Sequence, residues 1–265
     1  TGDLDGDGRP DLIVGFVSEQ LAVDPGSVVA YSGLDRSVLF SLTGQGPYDD
    51  FGRSVATGLL DGDGNADIVV GSKYGAVGNP DPTLVETYSG LDGSNLWMMP
   101  WPAGESASPR IDRVWTGDFD GDARDDVALS IDSGGSFLAH LYLLSGVDGS
   151  TLAILSEPSV PIRDGCVGVG RFDGDAIDDL LVADRYAMQS VLALSGADYS
   201  VLREFAWPRP AASAPVTPPS VAGDVDGDGI DDVVFGWSDG PPTHAGQAFV
   251  YSGTDGTLLF PWSGS

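Results

Sequence analysis

The feature that most constrains this chain is a short acidic stretch that returns five times. Its fullest form runs from Gly223 to Phe235, and related copies begin near residues 2, 58, 117, 170 and 223, a period of 53 to 59 residues. Self-similarity at this spacing marks a repeat architecture, in which units that cannot bury their own faces bury each other's. A second motif follows each acidic stretch: Tyr31-Ser-Gly-Leu-Asp35, Tyr88-Ser-Gly-Leu-Asp92, Leu144-Ser-Gly-Val-Asp148, Leu194-Ser-Gly-Ala-Asp198 and Tyr251-Ser-Gly-Thr-Asp255. In three copies glycine follows the aspartate, a hairpin signal. A third motif of small residues precedes four of the loops, as in Ser54-Val-Ala-Thr57.

Each repeat therefore offers four short strands: a small-residue strand, an apolar run after the acidic loop, a run ending at Ser-Gly, and one after the turn. Helical periodicity is not sustained anywhere. Runs such as Leu141 to Leu144 and Ala248 to Tyr251 are apolar on both alternating faces, which predicts sheets covered on both sides. Five four-stranded units with two faces to cover are accommodated by an all-β propeller, here a single domain over 1–265. The first repeat has no counterpart of Ser54-Val-Ala56, so the expectation is a ring completed by a neighbouring segment, domain or chain. Trp207 to Ser220, with its five prolines, reads as a surface loop.

The acidic loops carry the chemistry. Alternate carboxylates with glycines at the turn match the needs of Ca²⁺, which takes six to eight hard oxygen ligands at about 2.3–2.6 Å. The candidate ligands sit at loop positions 1, 3, 5, 7 and 9, position 7 through its main-chain carbonyl. They are Asp3, Asp5, Asp7, Arg9 and Asp11; Asp61, Asp63, Asn65 and Asp67; Asp118, Asp120, Asp122, Arg124 and Asp126; Asp173, Asp175, Ile177 and Asp179; and Asp224, Asp226, Asp228, Ile230 and Asp232. Leu59 and Arg171 replace the first carboxylate in two loops, and Ala123 and Ala176 replace the glycine at position 6 in two. Ligand count ranks loops 3–11, 118–126 and 224–232 first, 59–67 next and 171–179 last.

Phe51-Gly-Arg-Ser-Val-Ala56, followed by Asp61-Gly-Asp-Gly64 and Asp67-Ile-Val-Val-Gly71, resembles the FG-GAP repeat of the integrin α-subunit propeller, and the resemblance extends over essentially the whole chain. It implies a propeller with Ca²⁺ held between the first and second strands of each blade. The Phe-Gly start itself occurs only at Phe51.

A formal charge of −28 excludes nucleic acid and anionic membrane surfaces as natural partners and points to cations. One cysteine, Cys166, leaves no internal disulfide, and no apolar run is long enough to insert in a membrane. His140 and His244 fall in different parts of the repeat, so no recurring nucleophile and base can be assembled. Phe16, Lys73, Tyr74, Arg185, Tyr186 and Trp237 align just beyond the second strands, on one rim, as candidate ligand contacts. The resulting expectation is an extracellular, calcium-stabilised, non-catalytic module that binds a protein or a glycan. A polysaccharide-active enzyme or its accessory domain, and a structural assembly module, are the alternatives.

Overall fold

The computed structural model describes residues 1–17, 24–46, 50–72, 83–100, 110–132, 139–156, 166–183, 190–206, 216–237 and 246–263. The chain divides into two compact units, one formed by Thr1–Asp118 with Asp122–Ser159 and the other by Val160–Ser265 with Phe119–Gly121. Among the described residues every regular element is a strand.

The first unit holds three antiparallel sheets, each with its strands in chain order. They are the three-stranded β1(Leu12–Phe16), β2(Ser27–Tyr31), β3(Val38–Thr43), and two four-stranded sheets, β4(Ser54–Gly58) to β7(Asn95–Pro100) and β8(Arg110–Gly117) to β11(Thr151–Ser156). The second unit holds two four-stranded sheets, β12(Cys166–Gly170) to β15(Val201–Ala206) and β16(Val216–Gly223) to β19(Leu258–Ser263). The first repeat thus contributes three strands to its sheet, and the other four repeats carry all four.

The second strands β5(Asp67–Gly71) and β13(Asp179–Ala183) are buried along their whole length, as two-sided packing requires. Side chains alternate across a strand, so one repeat serves two interfaces. Ile68 and Val70 join Leu4, Val28 and Ala30 of the first repeat, while Val69 joins Val127 and Leu129 of the third. In the second unit Phe172, Leu181, Val191 and Phe205 pack on Val233 and Phe235 in the same way.

Connection lengths separate the two ends of each sheet. Eight residues link the first and second strands in all four complete repeats, and six link the third and fourth strands in all five. The links between second and third strands vary from six to eleven residues.

The proline-rich stretch departs from expectation. Its last part, from Val216, belongs to strand β16, and the ladder to β17(Asp232–Trp237) skips between Thr217 and Ser220. Pro218 and Pro219 occupy that skip on an edge strand, where no ladder donor is needed. His140 lies in β10(Ala139–Leu144) with its ring stacked 6.3 Å from that of Tyr142.

Candidate metal centre

Each acidic loop is shaped by carboxylates accepting its own amides. Asp224 Oδ1 accepts from Gly227 and Asp228 at 2.7 and 3.0 Å, and its Oδ2 accepts from Gly229 at 2.9 Å. Asp3 does the same for Asp7 and Gly8, and Asp118 Oδ2 accepts from Ala123 at 3.0 Å. To bring that amide inward, position 6 turns left-handed: Gly229 has φ 91° and Ala123 φ 67°. Alanine there costs about 1 kcal/mol relative to glycine. Ala176 has no carboxylate at position 1 to serve and is not among the described residues with positive φ.

The outcome is four groups of three aspartates whose carboxylate oxygens all lie within 4.8 Å of one another: Asp3, Asp5 and Asp11; Asp118, Asp120 and Asp122; Asp173, Asp175 and Asp179; and Asp224, Asp226 and Asp232. Three hard carboxylates brought this close form an oxygen donor set of the kind hard cations such as Ca²⁺ take, and offer nothing to softer metals. The order of the two poorest loops differs from ligand count. Among the described residues Asp61, Asp63 and Asp67 form no such group, whereas the loop carrying Arg171 does.

An arginine contacts each of these two loops. Arg171 turns its Nε to Asp178 Oδ1 at 3.1 Å, leaving the carboxylates of its loop to converge. Arg124, from the third repeat, reaches back and donates from Nη1 to the Asp61 carbonyl at 3.0 Å, with its guanidinium over Gly62. Loop 59–67 thus already carries a cation from its neighbour. Asn65, Ile177 and Ile230 lean in the same sense on Gly6, Gly121 and Gly174. At position 5, Asp7, Asp63, Asp122, Asp175 and Asp228 accept the amides of Arg9, Asn65, Arg124, Ile177 and Ile230 at 2.7–2.9 Å. Asp228 also accepts from Thr254 Oγ1 at 2.5 Å.

The aspartate at position 9 has a second task that spacing alone does not reveal. Asp11, Asp67, Asp126, Asp179 and Asp232 are buried. One oxygen of Asp11, Asp67, Asp179 and Asp232 accepts the position-2 amide of its loop at 2.6–2.9 Å. In all five the other oxygen accepts the glycine amide of the Ser-Gly turn, at 2.8–3.2 Å. This carboxylate therefore clips the two fixed-length connections together. Burial pushes Asp67 and Asp179 up to about 6, against the lowering effect of those amides. The glycine is obligatory, because a Cβ on Gly90 or Gly146 would sit 1.9 Å from the carbonyl oxygen of Ala66 or Asp125. The serines cap the same turn, Ser89 Oγ accepting the Leu91 amide at 3.3 Å.

Position 8 adds contacts between repeats that the sequence reading passed over. Asp125 and Asp231 accept the amides of Leu59 and Arg171 in the preceding repeat at 2.7 and 2.9 Å, where those loops lack their own first carboxylate. The reverse bonds run from the Ala66, Asp125 and Asp231 amides to the carbonyls of Asp3, Leu59 and Arg171. An acid at position 8 in three of five loops was the available signal.

Of the rim residues, Phe16 ends β1 and is exposed, and Trp237 ends β17 with its backbone paired to Val216 and Gln247. Lys73, Tyr74, Arg185 and Tyr186 lie outside the described residues, as does His244. Cys166 opens β12 opposite Val182.

No protein-family model matches the chain, and no curated protein matches it in sequence. Solved structures do. The chain is similar to rhamnogalacturonan lyase YesW (TM-score 0.54, 17% identity, 98% of this chain and 49% of that one). It is also similar to the Dos1 propeller (TM-score 0.51, 14% identity, 95% and 58%) and to BBS1N from its complex with ARL6DN (TM-score 0.51, 9% identity, 98% and 80%). The chain spans about half the length of the first of these and under two thirds of the second. At such identities the likeness is one of fold, and with five antiparallel sheets in chain order it makes this protein a β-propeller.

Proposed function

We propose that this protein is a calcium-stabilised, extracellular binding module of the FG-GAP type, taking a protein or glycan ligand and performing no catalysis. The observation that carries the reading is the convergence of three carboxylates in each of four loops. Like charges held this close destabilise the fold until a cation neutralises them. Loops with this few protein ligands suit the high calcium of the extracellular space. The FG-GAP assignment is supported by Phe51, which is buried with its ring edge-on to Tyr88 at 6.2 Å, and by Asp50 and Gly52 beside it, both with positive φ.

In this reading the ions would be held by Asp3, Asp5 and Asp11, by Asp118, Asp120 and Asp122, by Asp173, Asp175 and Asp179, and by Asp224, Asp226 and Asp232. Bound Ca²⁺ supplies charge neutralisation. The protein's own residues do the rest: position 1 gathers the loop amides, and position 9 ties the loop to the Ser-Gly turn. The ligand would meet the opposite ends of the same strands, where Phe16, Lys73, Tyr74, Arg185, Tyr186 and Trp237 offer aromatic faces and cations to sugar rings or acidic side chains.

Calorimetry with and without chelator tests the metal. Calcium at a hundred times its Kd contributes about 2.7 kcal/mol per site, so chelation should lower Tm by several degrees. An unchanged melting curve would remove the calcium reading. A glycan and protein array, with rhamnogalacturonan included because a neighbour in fold acts on it, tests the ligand. Cleavage of any polysaccharide by the purified chain would overturn the non-catalytic assignment.

A further inference from the structure

An Asp-Gly peptide bond is chemically labile, because glycine places no side chain between its own amide nitrogen and the carboxyl carbon of the aspartate before it. The dipeptide recurs through the acidic loops and the hairpins of this chain. What differs among the described copies is the partner of the glycine amide. In the hairpins Gly93, Gly149 and Gly256 donate to the carbonyls of Ser89, Ser145 and Ser252 at 2.9 Å. In loops with aspartate at position 1, Gly8 donates to Asp3 at 2.8 Å, and Gly227 and Gly229 donate to Asp224 at 2.7 and 2.9 Å.

Loop 59–67 has Leu59 at position 1, so the amide of Gly64 meets no acceptor among the described residues. The space around it is open, with no atom within 4 Å of a Cβ built there. The amides of Gly6, Gly62 and Gly174 also meet no acceptor among the described residues, but each glycine lies under a side chain of the next repeat, Asn65, Arg124 or Ile230. Two other pairs match Asp63-Gly64 in every respect but one. Asp7-Gly8 and Asp228-Gly229 occupy the same loop positions and are equally exposed, and Gly8, Gly64 and Gly229 have φ of 84°, 94° and 91°. In all three the aspartate Oδ1 accepts the amide of position 7, at 2.8, 2.7 and 2.9 Å, which folds the carboxyl group back over the glycine nitrogen. The difference is the position-1 carboxylate that holds the amides of Gly8 and Gly229.

We propose that Asp63 is a site of spontaneous isoaspartate formation, and that Asp3 and Asp224 protect Asp7 and Asp228 from the same reaction. The Gly64 nitrogen bonds to Asp63 Cγ, the Cγ–OH bond breaks, and the amide proton and the hydroxyl leave together as water, closing a five-membered imide. Water then adds to either imide carbonyl. Opening at Cγ restores aspartate. Opening at the main-chain carbonyl leaves Gly64 joined through the side chain, an isoaspartate whose free carboxyl group sits on Cα. For the nitrogen to reach Cγ, the Asp-Gly peptide plane must turn. At Gly8 and Gly229 that turn breaks a hydrogen bond to a carboxylate, which slows the reaction at least about tenfold, whereas the Gly64 amide faces water and turns without that loss. The product carries one more methylene in the main chain and displaces the carboxylate that holds both the amide and the Nδ2 of Asn65. Asn65 leans on Gly6, so the change reaches the first repeat as well.

Prolonged incubation of the whole chain at neutral pH, with chelator and separately with calcium, tests this when followed by peptide mapping with fragmentation that distinguishes isoaspartate from aspartate. Under both conditions isoaspartate should appear at residue 63 at least about tenfold faster than at residues 7 and 228. In the urea-unfolded chain the three rates should become alike, because the dipeptide is the same in each. Leu59→Asn, at an exposed position, supplies an acceptor without a second carboxylate beside Asp125 and should slow the reaction at residue 63. In chelator, Asp3→Ala and Asp224→Ala should speed it at residues 7 and 228 respectively. Equal rates at the three sites in the folded chain, a gap that persists in urea, or a Leu59→Asn chain that isomerises at residue 63 as fast as wild type would each overturn the proposal.

Discussion

Trp97 donates its indole N–H to the carbonyl oxygen of Gly146, 2.6 Å away in the Ser-Gly turn of the next repeat. The ring covers Gly149 in the same turn, so one side chain both fills the junction and satisfies a buried acceptor. Trp97→Phe keeps most of the packing and strands the carbonyl, at a cost of about 1–3 kcal/mol. Trp97→Ala loses both and should cost about 3–5 kcal/mol. Urea denaturation of the two variants checks the order. Equal losses would mean the packing contributes nothing beyond the hydrogen bond, and an unchanged Trp97→Phe would mean the hydrogen bond contributes nothing.

The Ser-Gly glycines should tolerate substitution far less well than the glycines of the acidic loops. Gly90→Ala drives a Cβ into the Ala66 carbonyl at 1.9 Å, and backbone must move, which places it at or above the upper end of the usual 1–3 kcal/mol for overpacking. Gly64→Ala meets nothing within 4 Å and bears only its φ of 94°, about 1 kcal/mol. The reciprocal change Ala123→Gly should stabilise the third loop by a similar amount. Thermal unfolding of the three variants gives the comparison directly.

Calcium titration by calorimetry should return a stoichiometry of four, one per converged group. Asp224→Asn should remove one site, while Asp61→Asn should leave the count unchanged, because Arg124 already bonds that loop's backbone. Replacing Arg124 by Gln should weaken the contact between the second and third repeats without abolishing any of the four sites. Loss of a site in Asp61→Asn would contradict the role given to Arg124.

The hairpin aspartates link stability to pH. The Ser94 and Ser150 hydroxyls and amides hold Asp92 and Asp148 below the ordinary carboxylate range. Each bond thus adds stability above the unfolded value of about 3.9, and this is lost as pH falls through the depressed folded value. The stability difference between wild type and Asp92→Asn should therefore be present at pH 6 and disappear as pH falls through the depressed folded value of Asp92. A difference independent of pH would assign the effect to geometry alone.

The repeat, the sheets and the acidic loops were legible because each is a local pattern copied five times, and copying exposes what must be kept. What escaped acts across repeats. Asp125 reads as one more loop acid until its bond to the Leu59 amide is seen, and Arg124 reads as a position-7 carbonyl until its guanidinium is found over Gly62. Ligand count alone says nothing of where the Arg171 side chain goes, and its bond to Asp178 is visible only in the structure. Pro218 and Pro219 masked a strand because proline argues against a ladder only where a donor is required.

The eight-residue and six-residue connections, joined by a buried aspartate at every repeat, leave one end of each sheet no freedom in length. The other end already varies from six to eleven residues. A mutation that inserts or deletes a codon is therefore ruinous on one side and cheap on the other. Lineages of this protein can vary the links between second and third strands in length while the end carrying the acidic loops and Ser-Gly turns stays recognisable. For the same reason a library for new specificities should randomise the stretches after Phe16, Gly71 and Ala183 and leave every Ser-Gly turn untouched.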